Sequence, residues 1–238
     1  DGRHHLEHEG LARPKVLVQL GRDGTVVHGD TKSRPGCTHY LVKFRARDDD
    51  PHAGTLEHAY LLMAAACGLE VTESRMLGKH SRHPGYLAVR RFDREGKRKL
   101  HLHTAAGLLY APHHASSITY RELLLATRRL TGSEGAVTEM FRRACFNVFA
   151  HNRDDHTRNF AFLMDAHGAW RPSPAYDLTF SEGPGGEHTL LIDTEGANPT
   201  ARHLVQLAHE LEVRDARTII ERVRATVGRF PRFAEKAG

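Results

Sequence analysis

Residues 151–164 read HNRDDHTRNFAFLM. Two histidines, two aspartates, two arginines and two asparagines fall in the first nine positions, and five apolar residues follow without a break. Upstream, apolar residues recur at helical spacing through 136–150. Downstream, FAFLM and GAW are short β-type runs joined by the turn DAHG. A helix therefore delivers the polar cluster into a connection, and a strand carries the chain straight back into the core. The cluster sits on a loop held from both sides.

Outward from this loop the chain has two characters. Before residue 100, β-type runs at 16–20, 26–28, 40–44 and 86–89 dominate. One helix interrupts them at 56–67, LEHAYLLMAAAC, with Gly68 where a left-handed cap belongs. Beyond residue 100, helical spacing recurs at 120–130, 136–150 and 213–227. With no repeat, no low-complexity tract and no long linker, the expectation is an α+β fold of two lobes around a cleft. The sheet-rich lobe covers 9–100, and the helical lobe, which carries the polar loop, covers 101–238.

Bulk composition is consistent with this. A chain of 238 residues, 39 % of them hydrophobic, can close a substantial core. The net charge of +5 points only weakly to anionic partners, and direct nucleic-acid binding is not expected. Cys37, Cys67 and Cys145 are odd in number and form no CxxC pair, which fits reduced thiols in the cytoplasm. No stretch approaches the roughly 18 apolar residues of a membrane span, and the start lacks signal-peptide order. Nineteen histidines are scattered, and residues 1–8 are set aside from fold reasoning.

Asp154 and Asn159 lie five apart, and Asp177 follows in SPAYDLT. In phosphoryl transfer one carboxylate orients and deprotonates a hydroxyl, while an amide oxygen and a second carboxylate hold Mg²⁺ on the nucleotide phosphates. A hard cation selects oxygen donors. An Asp-rich loop between helix and strand is ordinarily cap and turn chemistry, but a cap needs only one or two such residues. His151 and His156 with Asp155 offer a second reading, a metal-dependent hydrolase, which no HExxH or CxxC supports. From the residues alone His156 reads as a hydrogen-bonding brace, and Asp155 either braces the loop or faces solvent. In the other half, Lys43 in YLVKF could supply a phosphate-binding cation, with snorkelling as the plain alternative. Glu57 could pair with it or merely complement a helix N-terminus.

Taken in order, GLARPKV (10–16), HYLVKF (39–44), VRRFDR (89–94), HNRDDHTRNFAFL (151–163) and SPAYDLT (173–179) resemble the HipA family of serine/threonine kinases, the toxin components of bacterial toxin–antitoxin pairs. The resemblance implies a two-lobed, protein-kinase-like fold with ATP and Mg²⁺ in the cleft. It makes Asp154 the catalytic base, Asn159 and Asp177 the Mg²⁺ ligands and Lys43 the phosphate-binding lysine. The hinge that would hold adenine falls on Arg90, Arg91 and Phe92. The phosphate loop falls on Gly10, Leu11, Ala12, Arg13, Pro14 and Lys15, and the nucleotide-binding set takes in His156 and Tyr176. The implied partners are a protein substrate, by family resemblance a translation-related enzyme, and a DNA-binding antitoxin; no membrane is implied. Leu11 departs from the family's second glycine, His8 from its serine and Arg90 from its hinge glutamate. An additional N-terminal subdomain of the family is not matched, so a short member or a fragment is expected. The alternative is a catalytically impaired nucleotide-binding module that acts through a partner.

Overall fold

In the computed structural model, residues 14–29, 32–47, 49–80, 83–111 and 118–238 are described. Strands β1 (Lys15–Gly21), β2 (Val26–His28), β3 (Cys37–Lys43), β4 (Ser74–Leu77) and β5 (Tyr86–Arg90) form one antiparallel sheet in the order β2-β1-β3-β5-β4. The helix α1 (Ala53–Cys67) crosses between β3 and β4. It ends at Gly68, whose φ of 88° places it in the left-handed region that glycine adopts without strain. It starts three residues before the apolar run because Asp50 turns the chain there, accepting from the His52 and Ala53 amides. β4 was not legible: SRML is a half-exposed edge strand with little pattern.

Register and parity decide which side chains face the cleft. Leu17 stands opposite Leu41, and Leu41 opposite Val89, so the three make one row across β1, β3 and β5. Lys43, two residues beyond Leu41, shares its face, since side chains alternate along a strand. The intervening positions, Val18, Leu20, Tyr40, Val42 and Ala88, close a small core on the opposite face.

After the hairpin of β6 (Arg94–Glu95) and β7 (Arg98–Lys99), β8 (His101–Thr104) opens a second antiparallel sheet. Its neighbours are β9 (Ala161–Met164) and β10 (Trp170–Pro172), the expected hairpin around DAHG. The helices are α2 (Ala105–Leu108), α3 (Tyr120–Thr131), α4 (Glu134–Phe149), α5 (Ala201–Glu210), α6 (Ala216–Val227) and α7 (Phe230–Ala237). The α3 start is a capping box between Thr119 and Glu122. α5 and α7 escaped the sequence reading because each is short. Phe230 of α7 packs edge-on against Tyr60 of α1.

The main core joins α1 to α3, α4, α5 and α6. Two contacts pin α1 to the segments that carry polar side chains. The Tyr60 hydroxyl donates to Ala150 O (2.8 Å) at the end of α4, and the Ala175 amide donates to Glu70 O (2.7 Å) just past α1. Cys67 and Cys145 are buried free thiols. Among the described residues no helix is long and apolar enough to cross a membrane.

Candidate active site

A cavity of about 470 Å³ lies between the first sheet and the segments around Tyr176. The Leu17–Leu41–Val89 row forms one wall. Lys43, Glu57, residues 90–93, Leu102, Tyr176 and Asp177 complete it. An apolar slot with charges at one end suits a ligand with a flat apolar part and an anionic tail.

The charged end is built around Lys43. Its Nζ donates to Glu57 Oε1 at 2.6 Å and also to Asp177 Oδ1. Glu57 is almost fully buried, at the fifth residue of α1, so it serves the lysine and not the helix N-terminus. Burial alone would push the Lys43 ammonium down in pKa, but the Glu57 and Asp177 carboxylates outweigh it and hold the lysine charged. Burial likewise tends to raise the Asp177 carboxyl, and Lys43 reverses this and holds it below the ordinary range. Asp177 occupies a left-handed backbone, φ 53°, a costly conformation for a non-glycine residue that functional sites often retain. The segment is fixed upstream by the buried Arg143, which donates to Ser173 O.

Asp154 and Asp155 are neighbours with opposite surroundings. The Asp154 side chain is 53 % exposed, with His156 Nε2 3.7 Å away. Burial pushes its carboxyl above the ordinary aspartate range; the His156 ring opposes that rise, and the charges of Asp177 and Asp155 add to it. Asp155 is sealed from solvent and accepts from the Tyr120 hydroxyl (2.6 Å), His188 Nδ1 (2.8 Å) and the amides of Thr189 (2.8 Å) and Leu190 (3.3 Å). Asn147 Nδ2 donates to the Tyr120 hydroxyl, and Asn152 Nδ2 donates to Asn147 Oδ1, both at 2.9 Å. Of the two readings for Asp155, bracing holds and solvent contact does not. Committed to four donors, it does not converge with His151 and His156. Among the described residues no three His, Cys, Asp or Glu side chains gather as a metal site of that kind.

Asn159 closes the short 3-10 turn Thr157–Asn159, and its Nδ2 donates to Asp154 O at 2.8 Å. That bond commits the amide nitrogen to the backbone and leaves the side-chain oxygen as the available donor atom to a cation. With the Asp177 carboxylate, the donor set is oxygen only, which fits Mg²⁺.

At the apolar end, Arg91 and Arg94 both pair with Asp93, which stiffens residues 91–94. Thr72 Oγ1 donates to Arg90 O at 2.7 Å, and the Arg90 guanidinium lies outside, 3.7 Å from Glu73. The Phe92 and Tyr176 rings stand 5.6 Å apart, and the Tyr176 hydroxyl donates to Arg158 O. Pro14 and Lys15 lead into β1, where Lys15 stands opposite Lys43. Gly10, Leu11, Ala12 and Arg13 lie outside the described residues. The structure thus brings Lys43, Arg90, Arg91, Phe92, Tyr176 and Asp177 to one cavity, with Asp154, His156 and Asn159 on the adjoining loop. Sequence reasoning missed Tyr120, Asn147, Arg153 and His188. Their partners are up to 44 positions away, and no local spacing signals such contacts.

Comparisons with known proteins identify the fold and the family. The model of the HipA-like C-terminal domain family matches residues 10–230. Among solved structures, HipA in the Shewanella oneidensis MR-1 complex of HipA, HipB and operator DNA superposes with a TM-score of 0.71 at 19 % identity. All of this chain is covered but only 59 % of that one, so the chain spans somewhat over half of its structural relative. The Helicobacter pylori proinflammatory kinase CtkA superposes with a TM-score of 0.53 at 14 % identity, over 84 % of this chain and 90 % of that one. No curated protein sequence matches. The fold is thus the α+β, kinase-like fold of these two neighbours, and a family match spanning nearly the whole sequence makes this chain a member of the HipA-like C-terminal domain family.

Proposed function

We propose that the chain is an ATP- and Mg²⁺-dependent serine/threonine protein kinase of the HipA toxin type. In this reading residues 9–100 form the nucleotide-binding lobe and 101–238 the catalytic lobe. The observation that carries it is the Lys43–Glu57–Asp177 constellation at the charged end of an apolar slot, with the exposed carboxylate of Asp154 on the adjoining loop. A partly buried lysine held charged between two carboxylates is poised to exchange one of them for phosphate oxygens. The adenine ring would lie along Leu17, Leu41 and Val89, facing Phe92 and Tyr176, with the Phe92 backbone and the second lone pair of Arg90 O as its polar contacts. Asn159 and Asp177 would hold the cation, which neutralises the developing phosphate charge when bound. Asp154 would orient the acceptor hydroxyl and take its proton, and its raised pKa improves it as a base.

The Shewanella relative's complex with HipB and operator DNA supports a DNA-binding antitoxin as partner, and the likeness to the HipA family supports a protein substrate and growth inhibition. The test is transfer of radiolabelled γ-phosphate to proteins of a cell lysate, beside calorimetry of ATP with and without Mg²⁺. The expected outcome is metal-dependent labelling that Asp154→Ala abolishes, and ATP and Mg²⁺ binding cooperatively. ATP binding without any transfer would replace this reading with that of a nucleotide-binding module.

A further inference from the structure

The buried contact between His188 and Asp155 takes no part in binding or proton transfer, yet it joins two segments whose relative position the reaction needs. We infer that His188 is a positioning residue of phosphotransfer, acting through Asp155 to aim Asp154 into the cleft; the inference rests on the kinase reading of that cleft.

Three observations support it. First, Asp155 adjoins Asp154 and is directed into the core, so fixing one carboxylate sets the backbone that presents the other. Second, His188 belongs to the stretch that follows Asp177, and that stretch is laced to the loop along its length. Ser181 N donates to His151 O (3.0 Å), Thr189 Oγ1 to Arg153 O (3.2 Å), and the Arg153 guanidinium to Gly186 O (2.7 Å) and Ala197 O (2.8 Å). Gly183, at φ 73°, lets the stretch approach closely, because a Cβ there would meet Glu187 O and Arg153 Cβ. Third, His188 is the only side chain from that stretch that reaches Asp155 among the described residues; its other partners there are backbone amides and Tyr120. Asn147 donates to the Tyr120 hydroxyl, so that hydroxyl donates onward to Asp155, and Nδ1 of His188 completes a ring of donors. Other kinases can order the corresponding stretch with a phosphorylated residue on an arginine. Here a carboxylate of the loop itself does so, without a modification.

The test compares His188→Leu, which deletes the donor, with His188→Asn, whose amide nitrogen can take the place of Nδ1. Val223→Ala, a core truncation in α6, serves as a control for lost stability. All are assayed well below their melting temperatures, with turnover counted per ATP-binding site, and hydrogen exchange is followed over 151–160 and 181–190. For His188→Leu the expectation is kcat lower by about 10- to 100-fold, ATP affinity within about twofold, and amide exchange faster by about tenfold in both segments together. His188→Asn should restore most of each, and Val223→Ala should change none per folded site. Wild-type kcat and exchange over 151–160 in His188→Leu would overturn the inference, as would equal losses in the Leu and Asn variants. If wild type transfers no phosphate, the kinase reading falls, while coupled exchange still decides whether His188 positions the loop.

Discussion

The two faces of the loop at 151–160 are built on opposite terms. On its outer face Asp154 stands half in water, while nearby Asp177, in a left-handed backbone, and Glu57 share the Lys43 ammonium. Its inner face holds Asp155, Tyr120, Asn147 and Asn152, all buried and linked by hydrogen bonds. A charge left partly unsatisfied is available to a ligand and costs stability, whereas one saturated with donors contributes rigidity and is closed to chemistry. Two adjacent residues of one type therefore have opposite surroundings, set by direction alone.

The comparison breaks most severely if Asp154 and Asp155 prove interchangeable. Asp154→Asn should lower phosphotransfer by about 10² to 10⁴ and leave ATP binding intact, because a base acts only in the transition state. Asp155→Ala should instead destabilise the fold by about 3–5 kcal/mol, stranding four buried donors; parallel transfer assays and denaturant titrations separate the two. Next, Asp177→Asn should weaken both Mg-ATP binding and turnover, since a metal ligand also holds the ground state. Calorimetry showing unchanged Mg-ATP affinity would remove Asp177 from that role. On the inner face, Tyr120→Phe should cost about 1–2 kcal/mol of stability. Burial holds this phenol well above its usual pKa, so the lost group is a neutral donor throughout the working pH range, and the cost should not vary with pH. The smallest effect is one of sign. A carboxyl whose folded pKa is raised favours the fold while protonated, and that contribution is lost as pH rises through its folded pKa. Asp154→Asn should therefore melt slightly higher than wild type near neutral pH, with the advantage vanishing on acidification through the carboxyl range. A melting series across that range checks it.

Much of the cleft was legible because its signals are local. Helical spacing up to Phe149 and the apolar run at 160–164 place the polar cluster on a loop, and the glycine at 68 marks the end of α1. The alternation around Lys43 puts it on the face of Leu41, and Glu57 on the next helix is its partner, one of two readings the residues allowed. β4, α5 and α7 were not legible, being short elements that packing stabilises more than propensity.

The sequence by itself determined which chemical groups are present, their order along the chain and the periodicities that make each element bury one face, since these depend on residues within a turn or two of each other. It could not decide between two adjacent aspartates. That choice depends on Tyr120, 35 positions before Asp155, and on His188, 33 after it, converging beneath one loop. Such convergence arises only when α3, the loop and the stretch after Asp177 pack together, because the desolvation that seals one carboxylate and leaves the other half in water is a property of the packed surroundings and not of the residue.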